Sequence, residues 1–168
     1  MKKNLILIAM LIFSSILHAQ EKINRWEVGS GFSFGAYLGN FELTIMNANI
    51  NLEGEYYVSK PISVVGHVDY NRSFATREGT SSVGFATTHI GPRFHFANVF
   101  FVGVGLGALL YVDQSGNYQY LSYNPQVGAV FNKIELSFGY KGWSNGNLAN
   151  GTGMLELGLI FKVNRVRL

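Results

Sequence analysis

This 168-residue chain contains a serine and an asparagine, in the stretch GWSNG (142–146), whose side chains could take part in catalysis. A serine hydroxyl is a poor nucleophile unless a neighbouring base, usually histidine, takes its proton. The residue two positions before Ser144 is Gly142, and no His-x-Ser sequence occurs anywhere in the chain. The stretch is therefore interpreted as a Ser-Asn-Gly turn, and no catalytic residue is predicted.

Four residues with side chains of the metal-ligand type, His67, Asp69, His89 and His95, fall within two short stretches of the chain. Their spacing forms no compact ligand motif, so no metal site is predicted. The glycine-rich run GVGLGAL (103–109) precedes no helical segment whose N-terminus could bind phosphate. We therefore expect no bound cofactor, and the charged residues are better explained as partners for one another.

The elements that carry these residues alternate as β-strands do. In MNANINLEGEYYV (46–58) every second residue is apolar or small, and the residues between them, Tyr57 excepted, carry amide or carboxylate groups. Successive side chains of a strand point to opposite faces, so this strand has one apolar and one polar face. Similar alternation occurs in seven further stretches: 24–35, 62–74, 87–96, 100–112, 120–131, 134–142 and 154–163. The sequence predicts an all-β domain of eight strands.

The connections between these strands predict how the strands are joined. Three are tight turns and four are longer: SKP (59–61), AN (97–98) and NK (132–133), against AYLGNFEL (36–43), ATREGTSS (75–82), DQSGNYQ (113–119) and SNGNLANGT (144–152). In an up-and-down antiparallel barrel, this alternation places the four longer loops at one end and the tight turns at the other. Pro92 and Pro125 fall inside strands, where we expect bulges or irregular pairing.

The N-terminal stretch MKKNLILIAMLIFSSILHAQ has the order of a secretory signal peptide: two lysines, an apolar core from Leu5 to Ile16, and the small residue Ala19. The apolar core is too short to span a membrane comfortably as a helix. We expect cleavage after Ala19, so that residues 1–19 are a signal peptide and residues 20–168 form the barrel domain.

Composition excludes two classes of protein. Cleavage would leave 11 basic residues against 10 acidic ones, a balance that provides no basic surface for nucleic acid. The chain contains no cysteine, so an exported domain must be held together by burial and backbone pairing rather than by disulfides.

Aromatic residues on the apolar face are sorted by height along the strands. Those near the tight-turn end are Trp26, Tyr56, Phe96, Phe100, Phe131 and Phe161, and those toward the long-loop end are Phe34, Phe74, Tyr123 and Tyr140. The positions between them are mainly Val, Leu, Ile and Ala. Two aromatic girdles around an aliphatic band are typical of a surface that faces lipid.

The polar face is therefore predicted to line the lumen. It is rich in Gly, Ser, Asn and Gln and poor in lysine, whereas a strand face in water usually carries many charges. The apolar side chains are too bulky to fill a narrow eight-stranded interior together. A soluble lipocalin-like barrel, with the apolar face inside, is the less favoured alternative.

Charged side chains in a closed lumen must be paired or hydrogen-bonded. We therefore expect a structural ion-pair network in the lumen, made by Glu53, Glu55, His67, Asp69, Arg93, His95, Lys141 and Glu156. Further members of the same face are Glu27, His89, Glu135 and Lys162. A proton or ion path through these residues is the alternative.

The chain resembles the small eight-stranded outer-membrane barrels of the OmpA/OmpX type, from the Gram-negative cell envelope. The resemblance rests on the signal peptide, the eight strands, the alternating connections and the closing strand GMLELGLIFKV (153–163). The resemblance implies an integral outer-membrane protein, surrounded by outer-membrane lipid, whose last strand is recognised by the barrel-assembly machinery. The chain departs from the common pattern by ending KVNRVRL rather than in an aromatic residue. The implied role is structural or surface-interacting, with an unknown extracellular ligand or surface partner contacting the loops.

Two alternatives to this role remain. The first is a narrow channel, since the glycines of the fifth strand leave space in the lumen. The second is a lipid A-modifying enzyme, because deacylases among the small outer-membrane barrels carry a His-x-Ser-Asn stretch near the end of the chain. Ser144 and Asn145 match its last two residues, but Gly142 stands where the histidine is needed.

Overall fold

The computed structural model describes residues 22–39, 42–75, 83–111, 119–144 and 152–167. The strands are β1 (Lys22–Gly39), β2 (Glu42–Ser59), β3 (Ile62–Ala75), β4 (Gly84–Phe96), β5 (Phe100–Tyr111), β6 (Gln119–Phe131), β7 (Ile134–Ser144) and β8 (Thr152–Arg167). Each strand pairs antiparallel with the next, and β8 pairs with β1, which closes the sheet. The predicted eight-stranded up-and-down barrel is confirmed. The described residues contain no helix long and apolar enough to cross a membrane.

Alternation along the strands sorts the side chains between the two sides of the wall. On β2, Ile50 and Leu52 are 68% and 59% exposed, whereas Asn51 and Glu53 are 3% and 2% exposed. The polar parity therefore faces the lumen and the apolar parity faces outward. A continuous outward band of Val, Leu, Ile and Phe side chains requires an apolar surrounding, which is the surface of a transmembrane barrel.

The strands extend further toward the longer connections than the sequence predicts. Segment 36–43, predicted as a long loop, is mostly strand: Leu38 pairs with Leu43 and Gly39 with Glu42, leaving only residues 40–41 between β1 and β2. The prediction of four longer loops is therefore wrong at this connection. Residues 1–21, including the predicted signal peptide, lie outside the described part of the chain.

Pro92 and Pro125 interrupt the pairing without shifting it. Pairing of β4 with β5 passes from Ile90–Leu106 directly to Arg93–Gly103, and the register is the same on both sides of the gap. The β6–β7 pairing has a similar gap at Pro125. Irregular pairing is thus present as predicted, but the predicted bulges are not, because the missing proline donor removes a hydrogen bond without adding a residue.

Two of the tight turns use left-handed backbone conformations. Ala97 and Asn98, between β4 and β5, have φ angles of 50° and 61°, and Asn132, between β6 and β7, has a φ of 57°. Tight hairpins need positive φ because that twist matches the twist of the flanking strands. Asparagine adopts this conformation more readily than most residues, which explains its presence in both turns.

Candidate functional site

The centre of the lumen near the tight-turn end holds a cluster of buried charges, here called the Arg93 cluster, which consists of Arg93, Lys162, Glu53, Glu55 and Glu135. The Arg93 guanidinium faces two carboxylates with both terminal nitrogens: Nη2 and Nη1 lie 3.0 and 2.8 Å from Glu53 Oε2 and Glu135 Oε2. Its Nη1 is also 3.4 Å from Glu55 Oε2. Lys162 Nζ bonds to Glu53 and lies 2.8 Å from Glu55 and 2.9 Å from Glu135.

The Arg93 cluster is enclosed by further lumen residues. The Arg93 guanidinium carbon lies 4.0 Å from the centre of the Phe101 ring, a cation–π arrangement. His67 Nε2 lies 2.7 Å from Glu53, and His95 Nε2 lies 2.8 Å from Glu55. These contacts surround the charges with partners and leave little room for water.

A second group of buried charges, the Lys141 cluster of Lys141, Asp69 and Glu156, lies further toward the longer connections. Lys141 Nζ is 3.0 Å from Asp69 Oδ2 and 2.9 Å from Glu156 Oε2. The carboxylates also accept hydrogen bonds from neutral side chains: Thr87 donates to Asp69 at 2.9 Å, and Asn49 donates to Glu156 at 3.0 Å.

The structure places all eight residues of the predicted lumen network inside the barrel, in two groups. Arg93, Glu53 and Glu55 lie in the Arg93 cluster with His67 and His95 beside it, and the other three form the Lys141 cluster. Each cluster has one more carboxylate than it has lysine or arginine side chains. The three lumen histidines stand beside these carboxylates, with His89 Nδ1 3.9 Å from Asp69.

At the tight-turn end, the mouth of the lumen is lined by Arg25, Glu27 and Tyr57. The Arg25 side chain bonds to Glu27, and its guanidinium carbon lies 4.7 Å from the centre of the Tyr57 ring. Tyr57 donates a hydrogen bond of 3.2 Å to Glu27. These three residues and His95 line a cavity of about 630 Å³ at this end of the barrel.

Toward the other end, the lumen holds a buried apolar group that the sequence analysis missed, here called the aromatic plug. It consists of Phe85, Leu109, Trp143 and Met154, which are buried, with Tyr37 and Tyr120 packed against them. The Trp143 ring contacts Tyr37 and Phe85, with ring centres 5.6 and 5.8 Å apart. Parity could have found Leu109, because it shares the inward face of β5 with Gly103, Gly105 and Gly107.

The aromatic residues predicted to form two girdles lie on the outward parity of the strands, with side chains exposed or half-buried. Near the tight turns, the Trp26 and Tyr56 rings contact each other at a tilt of 42°, with ring centres 4.8 Å apart. Near the longer connections, Tyr123 and Tyr140 pair at 5.9 Å. The Tyr123 ring lies over Gly142, where an added Cβ would come within 2.3 Å of it. The absence of a side chain at Gly142 therefore leaves the space that the Tyr123 ring occupies.

A serine, a histidine and an aspartate meet in the lumen but are not arranged for catalysis. His89 Nε2 lies 2.8 Å from Ser122 Oγ, and His89 Nδ1 lies 3.9 Å from Asp69. The Ser122 hydroxyl donates to the carbonyl oxygen of Gly142 at 3.1 Å. Its single proton is therefore engaged, so His89 donates to Ser122 rather than acting as its base. Both side chains are buried, out of reach of a substrate.

Ser144 lies in the last position of β7 rather than in a turn, because the strand continues past the predicted boundary at Gly142. Its side chain is buried, and its Oγ has no hydrogen-bond partner within the described ranges. Among the residues that the structure describes, none acts as a base for the one serine that the sequence singled out.

The carboxylates of Glu53, Glu55 and Glu135 are the closest grouping of metal-ligand atoms in the described residues, all within 4.8 Å of one another. Arg93 and Lys162 already contact all three of these carboxylates. An ion-pair cluster accounts for the arrangement, and two side-chain cations stand where a metal ion would have to bind.

Comparison with solved structures agrees with this geometry. The attachment invasion locus protein (Ail) of Yersinia pestis superposes with a TM-score of 0.54 and 16% identity, over 83% of this chain and 99% of that chain. The chain has the fold of the small eight-stranded outer-membrane barrels. Neisserial surface protein A gives a TM-score of 0.50 with 12% identity, over 82% of this chain and 97% of that one.

A de novo designed transmembrane β-barrel matches comparably, with a TM-score of 0.53 and 15% identity, over 86% of this chain and 99% of the design. No protein-family model and no curated protein sequence matches the chain. In barrels of this fold the short turns face the periplasm and the longer loops face the outside. In this chain the Arg93 cluster lies in the half of the lumen nearer the tight turns, and the aromatic plug lies at the end nearer the longer connections.

Proposed function

We propose that the chain is an integral outer-membrane protein with a closed lumen, whose longer connections meet an external surface partner or ligand. The observation that carries this proposal is the filling of the lumen by the Arg93 cluster, the Lys141 cluster and the aromatic plug. A lumen so filled serves as a rigid core rather than as a passage. Function then belongs to the outer wall and to the connections at the external end, including 76–82, 112–118 and 145–151.

The structural neighbours support this proposal only as precedents for the fold. One of them, Ail, is named for attachment and invasion, and that role is a property of that protein. We also propose outer-membrane lipid as the surrounding partner, since the outward apolar band needs an apolar environment. On the resemblance of the closing strand, we propose the barrel-assembly machinery as the partner during insertion in the cell.

A narrow channel is not favoured by the lumen contacts. Between the two charged clusters, His67, His89 and Arg93 line a cavity of about 10 Å³, which has room for a single water molecule. Buried ion pairs and packed rings occupy the lumen on either side of this cavity. An open path would require several of these contacts to break together.

We expect the protein in the outer-membrane fraction, with its longer connections outside. An epitope inserted within residues 145–151 should be detected on intact cells, because that connection lies at the external end. The folded protein should also migrate differently in detergent gels before and after boiling. As a control, the same epitope in the turn at Asn132–Lys133 should be detected only after the outer membrane is permeabilised. Recovery in the soluble periplasm without a heat-dependent shift would contradict the membrane assignment.

We further propose that the barrel is not a lipid A deacylase. Purified protein in detergent should release no fatty acid from lipid A, and Ser144→Ala and Ser122→Ala should behave like the unmodified protein, because no described residue is positioned to act as a base for either serine. Fatty-acid release is measured by mass spectrometry. Release that disappears in one serine variant, while that variant keeps its heat-dependent migration, would overturn this proposal.

A further inference from the structure

The outer wall of the barrel carries an apolar groove of about 650 Å³, which runs across β6, β7 and β8 in the half nearer the tight turns. The outward-facing Ala129 on β6 lies on its floor, beside the small residues Ser137 on β7 and Gly158 on β8, which belong to the lumen-facing parity. Exposed apolar side chains are expected all around a transmembrane barrel, but an apolar depression of this volume is a local feature.

Strand register explains why the wall is hollow at this place. Phe100 pairs with Ala129, Ala129 with Leu136, and Leu136 with Leu159, so the four residues form one row across β5 to β8. Within this row Ala129 contributes only a methyl group between a phenyl ring and a leucine side chain. The small residue lowers the floor of the groove relative to its neighbours.

Aromatic pairs form the two side walls of the groove. On one side Phe96 and Phe100 stack with ring centres 5.9 Å apart, and on the other Phe32 and Phe34 meet edge to face at 5.9 Å. Rings held by one another lose little further freedom when a ligand packs between them. The ring pairs are separated by β6, β7 and β8, about 19 Å around the wall at the usual strand spacing, so the groove is a preformed slot broad enough for flexible apolar chains lying side by side.

A cation lies at the end of the groove that faces the periplasm. Lys133 is exposed in the turn between β6 and β7, four residues from Ala129 and three from Leu136 along the chain. At the rise of a β-strand, these separations place the lysine roughly 10–13 Å from the floor, at the edge of the apolar band. An apolar slot that ends at a cation matches the shape and charge of a phospholipid.

We propose that this groove binds one phospholipid of the periplasmic leaflet, with an acyl chain over Ala129 and the phosphate at Lys133. The proposal rests on the membrane location proposed above and adds a defined lipid site to it. A second copy of the barrel fits the groove less well, because the same concave wall on both copies would leave a gap between them, and it offers no anion to Lys133.

The test is a titration of delipidated barrel in detergent with dioleoyl phosphatidylglycerol, in which bound lipid is counted by native mass spectrometry. The unmodified barrel should retain one lipid. Ala129→Phe fills the floor of the groove and should weaken binding about tenfold, through lost contact with about two methylene groups of the lipid. Lys133→Gln should weaken binding severalfold and reduce the preference for anionic over zwitterionic lipid.

Ala108→Phe is the matched control, since Ala108 also faces outward but lies outside the groove. It should bind lipid like the unmodified barrel. Equal retention by Ala129→Phe and Ala108→Phe, or a dimer in place of the lipid-bound species, overturns the proposal. If Ala129→Phe fails to fold, Lys133→Gln still tests the site, because the exposed Lys133 side chain is not needed for folding. Lipid retention by Lys133→Gln equal to that of the unmodified barrel refutes the site. Heat-dependent migration of each variant reports the membrane-barrel assignment separately.

Discussion

Gly105→Phe should prevent the barrel from assembling, whereas Leu106→Phe should leave it almost unaffected. Gly105 faces the lumen, and a Cβ added there would lie 2.9 Å from the Cβ of His89, so a whole ring has no space. Leu106 is 58% exposed on the outer wall, where lipid accommodates a larger side chain. Overpacking of a closed interior forces the surrounding side chains and backbone to move, which is strongly destabilising.

Refolding yield in detergent or lipid vesicles, followed by heat-dependent migration in gels, measures this difference directly. Phenylalanine favours a strand more than glycine does, so a failure of Gly105→Phe to assemble would come from the clash of the ring and not from backbone preference. A soluble barrel with the apolar face inside requires the opposite ranking. Tolerance of Gly105→Phe together with failure of Leu106→Phe would therefore show that the faces have been assigned the wrong way round.

Arg93→Met should lower the free energy of unfolding by about 3–5 kcal/mol, the range for removing one partner of a buried ion pair. The substitution keeps much of the side-chain volume but leaves the three carboxylates of the Arg93 cluster with Lys162 as their remaining full cation. Urea-induced unfolding of the barrel in phospholipid vesicles, followed by tryptophan fluorescence, provides the measurement.

Arg25→Met is the matched control, because the Arg25 side chain is partly exposed at the mouth of the lumen and contacts Glu27. Its effect should be clearly smaller than that of Arg93→Met, because Arg25 contacts one carboxylate rather than three and Glu27 keeps the hydrogen bond from Tyr57. Adding Glu53→Gln and Glu135→Gln to Arg93→Met should restore part of the lost stability by removing unpaired negative charge. An Arg93→Met barrel as stable as Arg25→Met would mean that the cluster is hydrated and does not support the fold.

The barrel itself could be predicted because its main determinant is local. Alternation along β2 assigns Asn51 and Glu53 to one face and Ile50 to the other without knowledge of any neighbouring strand. Short turns such as Asn132–Lys133 then limit the order of the strands to simple hairpins. Face and order together are enough to specify an up-and-down barrel.

The pairing of charges inside the barrel could not be predicted in the same way. Parity shows that Arg93 and Glu135 face the lumen, but not that β4 and β7 bring them together across it. That depends on the tilt and stagger of the closed sheet, which appear in no single strand. The aromatic plug was missed for a related reason, since Trp143 lies beyond the alternating part of β7, where packing rather than pattern maintains the strand.

The partners in the Arg93 cluster also constrain how the chain can reach its final form. Glu53 on β2 and Lys162 on β8 are separated by 109 residues, and their contact forms only when the last strand docks beside the first. Contacts between residues so distant in sequence form late and slowly. Until then the carboxylates of β2 keep their hydration, because ions without partners are expensive to dehydrate. Pairing of β8 with β1 and removal of water from the lumen must therefore occur together. In a partly closed intermediate, water should reach the polar, lumen-facing side of every strand.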